Sequence, residues 1–216
     1  VFEPTHVVAL RHGQTAYNAT QRIQGHLDVG LDATGRWQAA RLAAALADAG
    51  LAAVHASDLS RARDTAAAVA AACGLGLQTH AALRERHFGV LEGLSHAEIE
   101  ERFPEDARRW RQREPGFGPG GGESLEAFSA RCVAAFTRLA QAHPGQTIAI
   151  VAHGGVLDCL YRAASGIGLQ APRTWQLANA AINRLLYTGE GFSVVGWDDR
   201  RHLEDAAGSA AEEVSA

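Results

Sequence analysis

Four consecutive apolar residues, Val7-Val8-Ala9-Leu10, run without helical periodicity straight into Arg11-His12-Gly13, a change from buried to ionisable in a single step. A short β-branched run of this kind over residues 6–10 predicts a strand covered on both faces. Residues 34–49 follow as an alanine- and leucine-rich helix with Gly50 as its stop. Residues 52–56 then read as a second strand, and 60–72 as a second helix ending near Gly74. Strand, helix, strand, helix is the order expected of a mainly parallel sheet between helical layers.

A short strand around 77–80 completes this half, and then the pattern changes. Residues 85–122 carry Phe103-Pro104, the run Arg108-Arg109-Trp110-Arg111-Gln112-Arg113 and the loop Pro115-Gly116-Phe117-Gly118-Pro119-Gly120-Gly121-Gly122. They read as a helical excursion closed by a flexible hinge. Alternation resumes with a long helix over 123–142, a break at Pro144-Gly145, an apolar strand over 147–152 and a helix over 154–164. Residues 183–187 and 192–197 are closing strands, with Asn179 and Asn183 placed as caps at a strand start. The expected fold is α/β, a three-layer α/β/α sandwich with a mainly parallel central sheet and a helical insertion over the site. One domain is expected over 1–205, with the insertion at about 86–122, and 206–216 reads as a flexible tail.

Composition narrows the function classes. With 47% hydrophobic and 20% charged residues, the 216-residue chain matches globular averages and is long enough to bury a substantial core. The net charge of −4 supplies no basic field for nucleic acid. No apolar run approaches the roughly 20 residues needed to cross a bilayer, and the N-terminus lacks the basic-then-apolar order of a signal peptide. Cys73, Cys132 and Cys159 are odd in number and have no C-x-x-C spacing, which predicts core thiols in a reducing compartment. The expected address is the cytoplasm, without nucleic-acid or membrane partners; the oligomeric state is not legible.

In sheets of this kind ligands bind beyond the carboxyl ends of the strands. Arg11-His12-Gly13, Ser57-Asp58-Leu59-Ser60-Arg61 and His153-Gly154-Gly155 all fall there. Taken singly, each has an ordinary structural reading: a satisfied histidine, a helix cap at Ser57, Asp58 or Ser60, a solvated arginine. Their joint occurrence at three strand ends points instead to an anion site, because guanidinium forks, glycine N–H groups and helix N-termini all favour phosphate oxygens. The two histidines with Glu85 also suggest a metal centre, but Arg11 and Arg61 would repel a divalent cation there, and no H-E-x-x-H or cysteine pattern supports one.

Arg11-His12-Gly13-Gln14-Thr15 with Asn18 resembles the R-H-G-x-T-x-x-N signature of the histidine phosphatase superfamily, phosphoglycerate mutase-like branch. Further matches are Gln24-Gly25-His26-Leu27-Asp28, Ser57-Asp58-Leu59-Ser60-Arg61-Ala62, Leu83-Arg84-Glu85, Phe88-Gly89, Glu92-Gly93, Gly122-Glu123-Ser124 and His153-Gly154-Gly155. The resemblance implies that His12 is the nucleophile and becomes a phosphohistidine. It implies that Arg11, Arg61 and His153 clamp the phosphoryl oxygens with Asn18 and the Gly154 N–H, and that Glu85 protonates the leaving oxygen. Gln24, Gly25 and Phe88 are expected to line the pocket, and no metal is required.

The family contains both phosphatases and mutases of phosphoglycerate. Glu85-Arg86-His87-Phe88-Gly89 is similar to the mutase form E-R-H-Y-G, but Phe88 lacks the phenol and His96 stands where mutases have lysine. His153-Gly154-Gly155-Val156 resembles the phosphatases, as does Ser57-Asp58-Leu59. The expected activity is metal-independent hydrolysis of a small phosphorylated metabolite. The alternatives are a mutase dependent on 2,3-bisphosphoglycerate, with Arg108, Arg109 and Arg111 holding a carboxylate, and a noncatalytic phospho-ligand binder.

Overall fold

A computed structural model describes residues 3–204; the tail expected at 206–216 lies outside the described residues. The strands are β1 (Thr5–Arg11), β2 (Ala53–Ser57), β3 (Leu77–His80), β4 (Thr147–Ala152), β5 (Ile182–Tyr187) and β6 (Phe192–Asp199). The helices are α1 (Ala16–Ala19), α2 (Ala33–Leu46), α3 (Ser60–Ala72), α4 (His96–Arg102), α5 (Pro104–Arg111), α6 (Leu125–Gln141) and α7 (Gly154–Ser165).

All six strands form one sheet in the order β3-β2-β4-β1-β5-β6. The first four are mutually parallel, and β5 and β6 extend the sheet antiparallel at one edge. A core of α6 and α7 residues, including Phe128, Phe136, Leu157 and Leu160, covers one face with Ile148 and Ile150. Leu42 and Leu46 of α2 with Ala62, Ala66 and Val69 of α3 cover the other face against Val54, Val151 and Leu10. This is the expected three-layer α/β sandwich with a mostly parallel sheet. It arises because β1 and β4 carry apolar residues on both sides and β2 is buried along its whole length, so each face needs a helical layer.

Register positions the functional rim. Arg11 pairs with Ala152 and Leu10 with Val151, so the two central strands end level. The His12 N–H then donates to the Ala152 carbonyl (3.0 Å), which sets His12 and His153 side by side. Ala56 of β2 pairs with Val151, bringing the start of α3, and with it Arg61, to the same edge. Gly13 is required here: a Cβ would come 2.5 Å from the Gly35 carbonyl oxygen, where α2 begins.

The excursion is two helices. Ser95 and Glu98 form a capping box at the start of α4, and Pro104 occupies the first turn of α5, so the chain turns at Phe103-Pro104. Leu91, Ile99 and Ala107 make a small core with Phe88, Phe103 and Trp110. The glycine-rich segment read as a hinge is instead a packed turn. Pro119–Gly121 forms one turn of 3-10 helix, Gly120 N–H donates to Asp106 (2.6 Å), and Glu123 N–H donates to the His87 carbonyl (2.8 Å). Side chains at Gly89, Gly118, Gly120 or Gly122 would collide with neighbouring backbone; close approach accounts for these glycines without any need for looseness.

Candidate active site

Beyond the ends of β1 and β4 lies a cavity of about 280 Å³ whose wall includes Arg11, His12, Gln24, Gly25, Arg61, Glu85, Phe88 and Gly155. His12 is the last step of the β1 exit and is 2% exposed. Its Nδ1 lies 2.7 Å from the Gly13 carbonyl. A carbonyl only accepts, so Nδ1 carries the proton and the lone pair of the neutral ring sits on Nε2. Burial, then the charges of Arg61 and Arg11, hold the His12 pKa well below the ordinary histidine value, which keeps that lone pair available. The backbone beside it is fixed by Thr65, whose Oγ accepts from Gly13 N–H (3.0 Å).

His153 is fully buried, with its ring centroid 5.2 Å from that of His12. Neither of its ring nitrogens has a hydrogen-bond partner, nor does Arg11 Nε or Arg61 Nε. Arg61 is 1% exposed. It is held by carbonyls alone, with Nη1 donating to Leu27 (2.9 Å) and Nη2 to Gly25 (2.8 Å). Arg11 Nη1 donates to the Leu177 carbonyl. Desolvation lowers the Arg11 pKa to about 10 and that of Arg61 in the same direction. Two buried guanidiniums without a bonded carboxylate, each with an orphaned N–H beside two neutral imidazoles, form a site built for a dianion.

Glu85 reaches the same cavity from the loop after β3. One carboxylate oxygen accepts from Arg86 N–H (2.9 Å), the other from Gly155 N–H in the first turn of α7 (3.0 Å). A methyl at Gly155 would collide with this carboxylate. Gly154 stands beside Arg11, where an added Cβ would lie 3.4 Å from Arg11 Nε. Gln24 Oε1 accepts from Thr15 Oγ (2.9 Å). Glu92 Oε1 accepts from both His26 N–H (2.9 Å) and Phe88 N–H (3.0 Å), stitching the Gln24–Gly25 loop to the insertion.

Asn18 lies in the capping box of α1, where its Oδ1 accepts from Thr15 N–H and its own N–H donates to Thr15 Oγ (both 3.1 Å). It does not line the cavity wall. Asn179, expected as a cap, instead donates to the His12 carbonyl (2.9 Å), and Asn183 to that of Ala9 (3.1 Å). The basic run divides. Arg108 pairs with Glu105 (2.6 Å), and Arg109 and Arg111 bond to Glu114 and Glu100; none of the three lines the cavity. Arg113 does, with Trp110, Arg22, Arg86 and Arg173. It occupies the left-handed position just past α5 (φ 52°), which turns it off the helix axis onto Asp158 (2.8 Å). A left-handed residue after a helix is normally signalled by glycine, so the sequence carried no local sign of it.

Among the described residues no group of three or more His, Cys, Asp or Glu side chains is placed to hold a metal ion, and no helix is long and apolar enough to cross a membrane.

Residues 7–200 match the model of the histidine phosphatase superfamily, branch 1. The chain belongs to this superfamily. A phosphoglycerate mutase-like protein of Arabidopsis thaliana is 39% identical over 203 residues, covering 92% of this chain and 87% of that one. A metal-independent phosphoserine phosphatase of the same plant is 35% identical over 204 residues, covering 93% and 84%. Among solved structures, a mycobacterial glucosyl-3-phosphoglycerate phosphatase superposes with a TM-score of 0.80 at 31% identity, covering 91% of this chain and all of the other. Arg11 and Arg61, each with an unpartnered Nε, and Glu85 line the same cavity as His12.

Proposed function

We propose that the protein is a metal-independent phosphomonoesterase acting on a small phosphorylated metabolite through a phosphohistidine on His12 Nε2. The observation that carries this is the His12 ring: Nδ1–H is pinned to a carbonyl, the imidazole is held neutral, and the guanidiniums of Arg11 and Arg61, neither bonded to a carboxylate and each with an unpartnered Nε, flank it.

In the first step the Nε2 lone pair attacks phosphorus and the ester P–O bond breaks, with Glu85 giving its proton to the leaving oxygen. Charge on the transferring group is met by Arg11, Arg61, His153 and the Gly154 N–H; Asn18, read as a further donor, stands off the cavity wall in the α1 cap and can reach the phosphoryl group only if its side chain turns out of that cap. In the second step water attacks the phosphohistidine, Glu85 takes its proton, and phosphate and neutral His12 are released. Two fixed cations do here what a metal ion does elsewhere. Gln24, Gly25 and Phe88 contact the organic part of the ester. Hydrolysis rather than mutase chemistry is favoured by the engagement of Arg108, Arg109 and Arg111 with glutamates away from the cavity. The free thiols of Cys73, Cys132 and Cys159 support a cytoplasmic setting.

The test is p-nitrophenyl phosphate turnover in EDTA, with trapping of the phosphoenzyme and a panel of phosphorylated metabolites including 3-phosphoglycerate and phosphoserine. Turnover should persist in chelator and fall by at least about 10⁴-fold in His12→Asn. Isomerisation of 3-phosphoglycerate outrunning phosphate release would establish the mutase instead. Phosphate binding without turnover of any ester would establish a binder.

A further inference from the structure

Glu85 can serve as an acid only if its carboxyl stays within reach of the bridging ester oxygen, yet it sits on a loop with no regular structure to hold it. The residues around that loop explain how it is fixed. Arg131, in the middle of α6, uses all five of its N–H groups there. Nε and Nη2 fork onto the two oxygens of Glu123 (2.9 and 2.7 Å). Nη1 donates to the carbonyls of Ala82 and Arg84 (both 2.9 Å), and the second Nη2 hydrogen reaches the carbonyl of Glu85 itself (3.3 Å). Arginine has five donors in one plane, and lysine has three from a single point; every one of the five is committed here, and three of them go to the segment that ends in Glu85.

Two other contacts complete the clamp. His26 Nε2 donates to the same Glu85 carbonyl (2.9 Å). The side chain of Arg84 forks onto Asp58 (2.8 and 2.7 Å), tying the loop to the start of α3 and so to Arg61. Arg131 is only partly exposed, at 25% of its side chain, and Glu123 at 19%, so their pairing is not one of the solvated surface pairs that contribute little. Neither residue lines the cavity.

We infer that the Glu123–Arg131 pair is a positioning device for the general acid: it holds the Ala82–Arg84–Glu85 backbone so that the Glu85 carboxyl meets the leaving oxygen. This rests on Glu85 being the acid, as proposed above. Such a pair has a signature different from that of a structural ion pair. A misplaced acid matters when the leaving oxygen is a poor leaving group and is nearly irrelevant when it leaves readily without a proton.

The experiment measures kcat/KM, which reports the step that expels the leaving group, for p-nitrophenyl phosphate and for a series of alkyl phosphates. Variants are Arg131→Gln, Arg131→Lys and Glu123→Gln, with Glu85→Gln as reference. Inorganic phosphate affinity and the melting temperature are followed in each. Arg131→Gln should lose at least about tenfold on alkyl phosphates, within the range for a general acid, while p-nitrophenyl phosphate changes by less than about threefold and phosphate affinity is kept. Arg131→Lys should fall between wild type and Gln. A loss equal across all leaving groups, or no loss, overturns the inference. If Arg131→Gln does not fold, Lys and Glu123→Gln carry the same comparison. Should Glu85→Gln itself show no dependence on the leaving group, the assignment of the acid fails, whatever Arg131 does.

Discussion

His55 on β2 stands between two other histidines, and its acid response can be worked out from geometry. His143 Nδ1 lies 2.9 Å from Gln146 Oε1, His143 Nε2 lies 3.2 Å from His55 Nε2, and His55 Nδ1 lies 3.1 Å from His80 Nε2. With all three rings neutral, one proton per link completes the chain: His143 donates to Gln146, His55 to His143, and His80 to His55. A second proton on His55 would place two N–H groups against each other at the His80 link. Burial, then the neighbouring His80 and His143, lower the His55 pKa from 6.5 to about 4. Arg138 also disfavours charge on His80, after burial.

Because the folded pKa is the lower one, the unfolded chain takes up the proton first, and stability is lost as pH falls below 6.5 towards 4. At about 1.4 kcal/mol per pH unit the whole shift corresponds to roughly 3.4 kcal/mol, which partial water access to the cluster reduces to about 2 kcal/mol. For a chain of this length that is roughly 4–8 °C in melting temperature. His55→Gln keeps a donor towards His143 and cannot titrate. Its melting temperature should lie below wild type at pH 7.5 and then decline less steeply down to pH 4.5, the gap narrowing by that amount. His12 and His153 also titrate low, but they are common to both proteins and cancel. Parallel profiles for the two proteins would falsify the reasoning.

Two further expectations follow from the site. Thr65→Val removes the acceptor of the Gly13 N–H at constant shape, which should cost about 1–3 kcal/mol in denaturant melts and lower kcat, since Gly13 also anchors the His12 ring. Gly155→Ala should push the Glu85 carboxylate off its backbone donor, reducing kcat/KM for alkyl phosphates by about 10² or more while leaving affinity for inorganic phosphate within about twofold of wild type. Calorimetric phosphate titration would expose the error if affinity fell with activity.

The strand and helix order was readable because apolar periodicity and glycine stops carry it locally; β3 and α3, for instance, span residues 77–80 and 60–72, as their sequences suggest. The convergence of Arg11, His12, Arg61 and His153 followed from strand ends that a parallel sheet must align. What escaped notice depends on contacts between distant segments. The four-residue helix α1 is too short for periodicity and rests on the pairing of Thr15 with Asn18. Arg113 and its neighbours in the run look alike as letters, and only the left-handed turn after α5 separates them. The glycines of 116–122 resemble a hinge in composition, whereas Gly118, Gly120 and Gly122 are there to let two backbone segments touch. Asn179 reaches the His12 carbonyl across 167 residues, a distance no local pattern spans.

The central position of β1 has a consequence for the chain's birth. Its neighbours in the sheet are β4 and β5, which are made long after it, at residues Thr147–Ala152 and Ile182–Tyr187. At ribosomal rates of roughly 5–20 residues per second, the first strand waits on the order of 10 s for either partner. Until then it is an apolar ribbon with both edges open, free to pair with another nascent copy. His12 is thus synthesised well before either partner of its strand, so a chain that stalls before residue 147 leaves His12 on an unpaired strand.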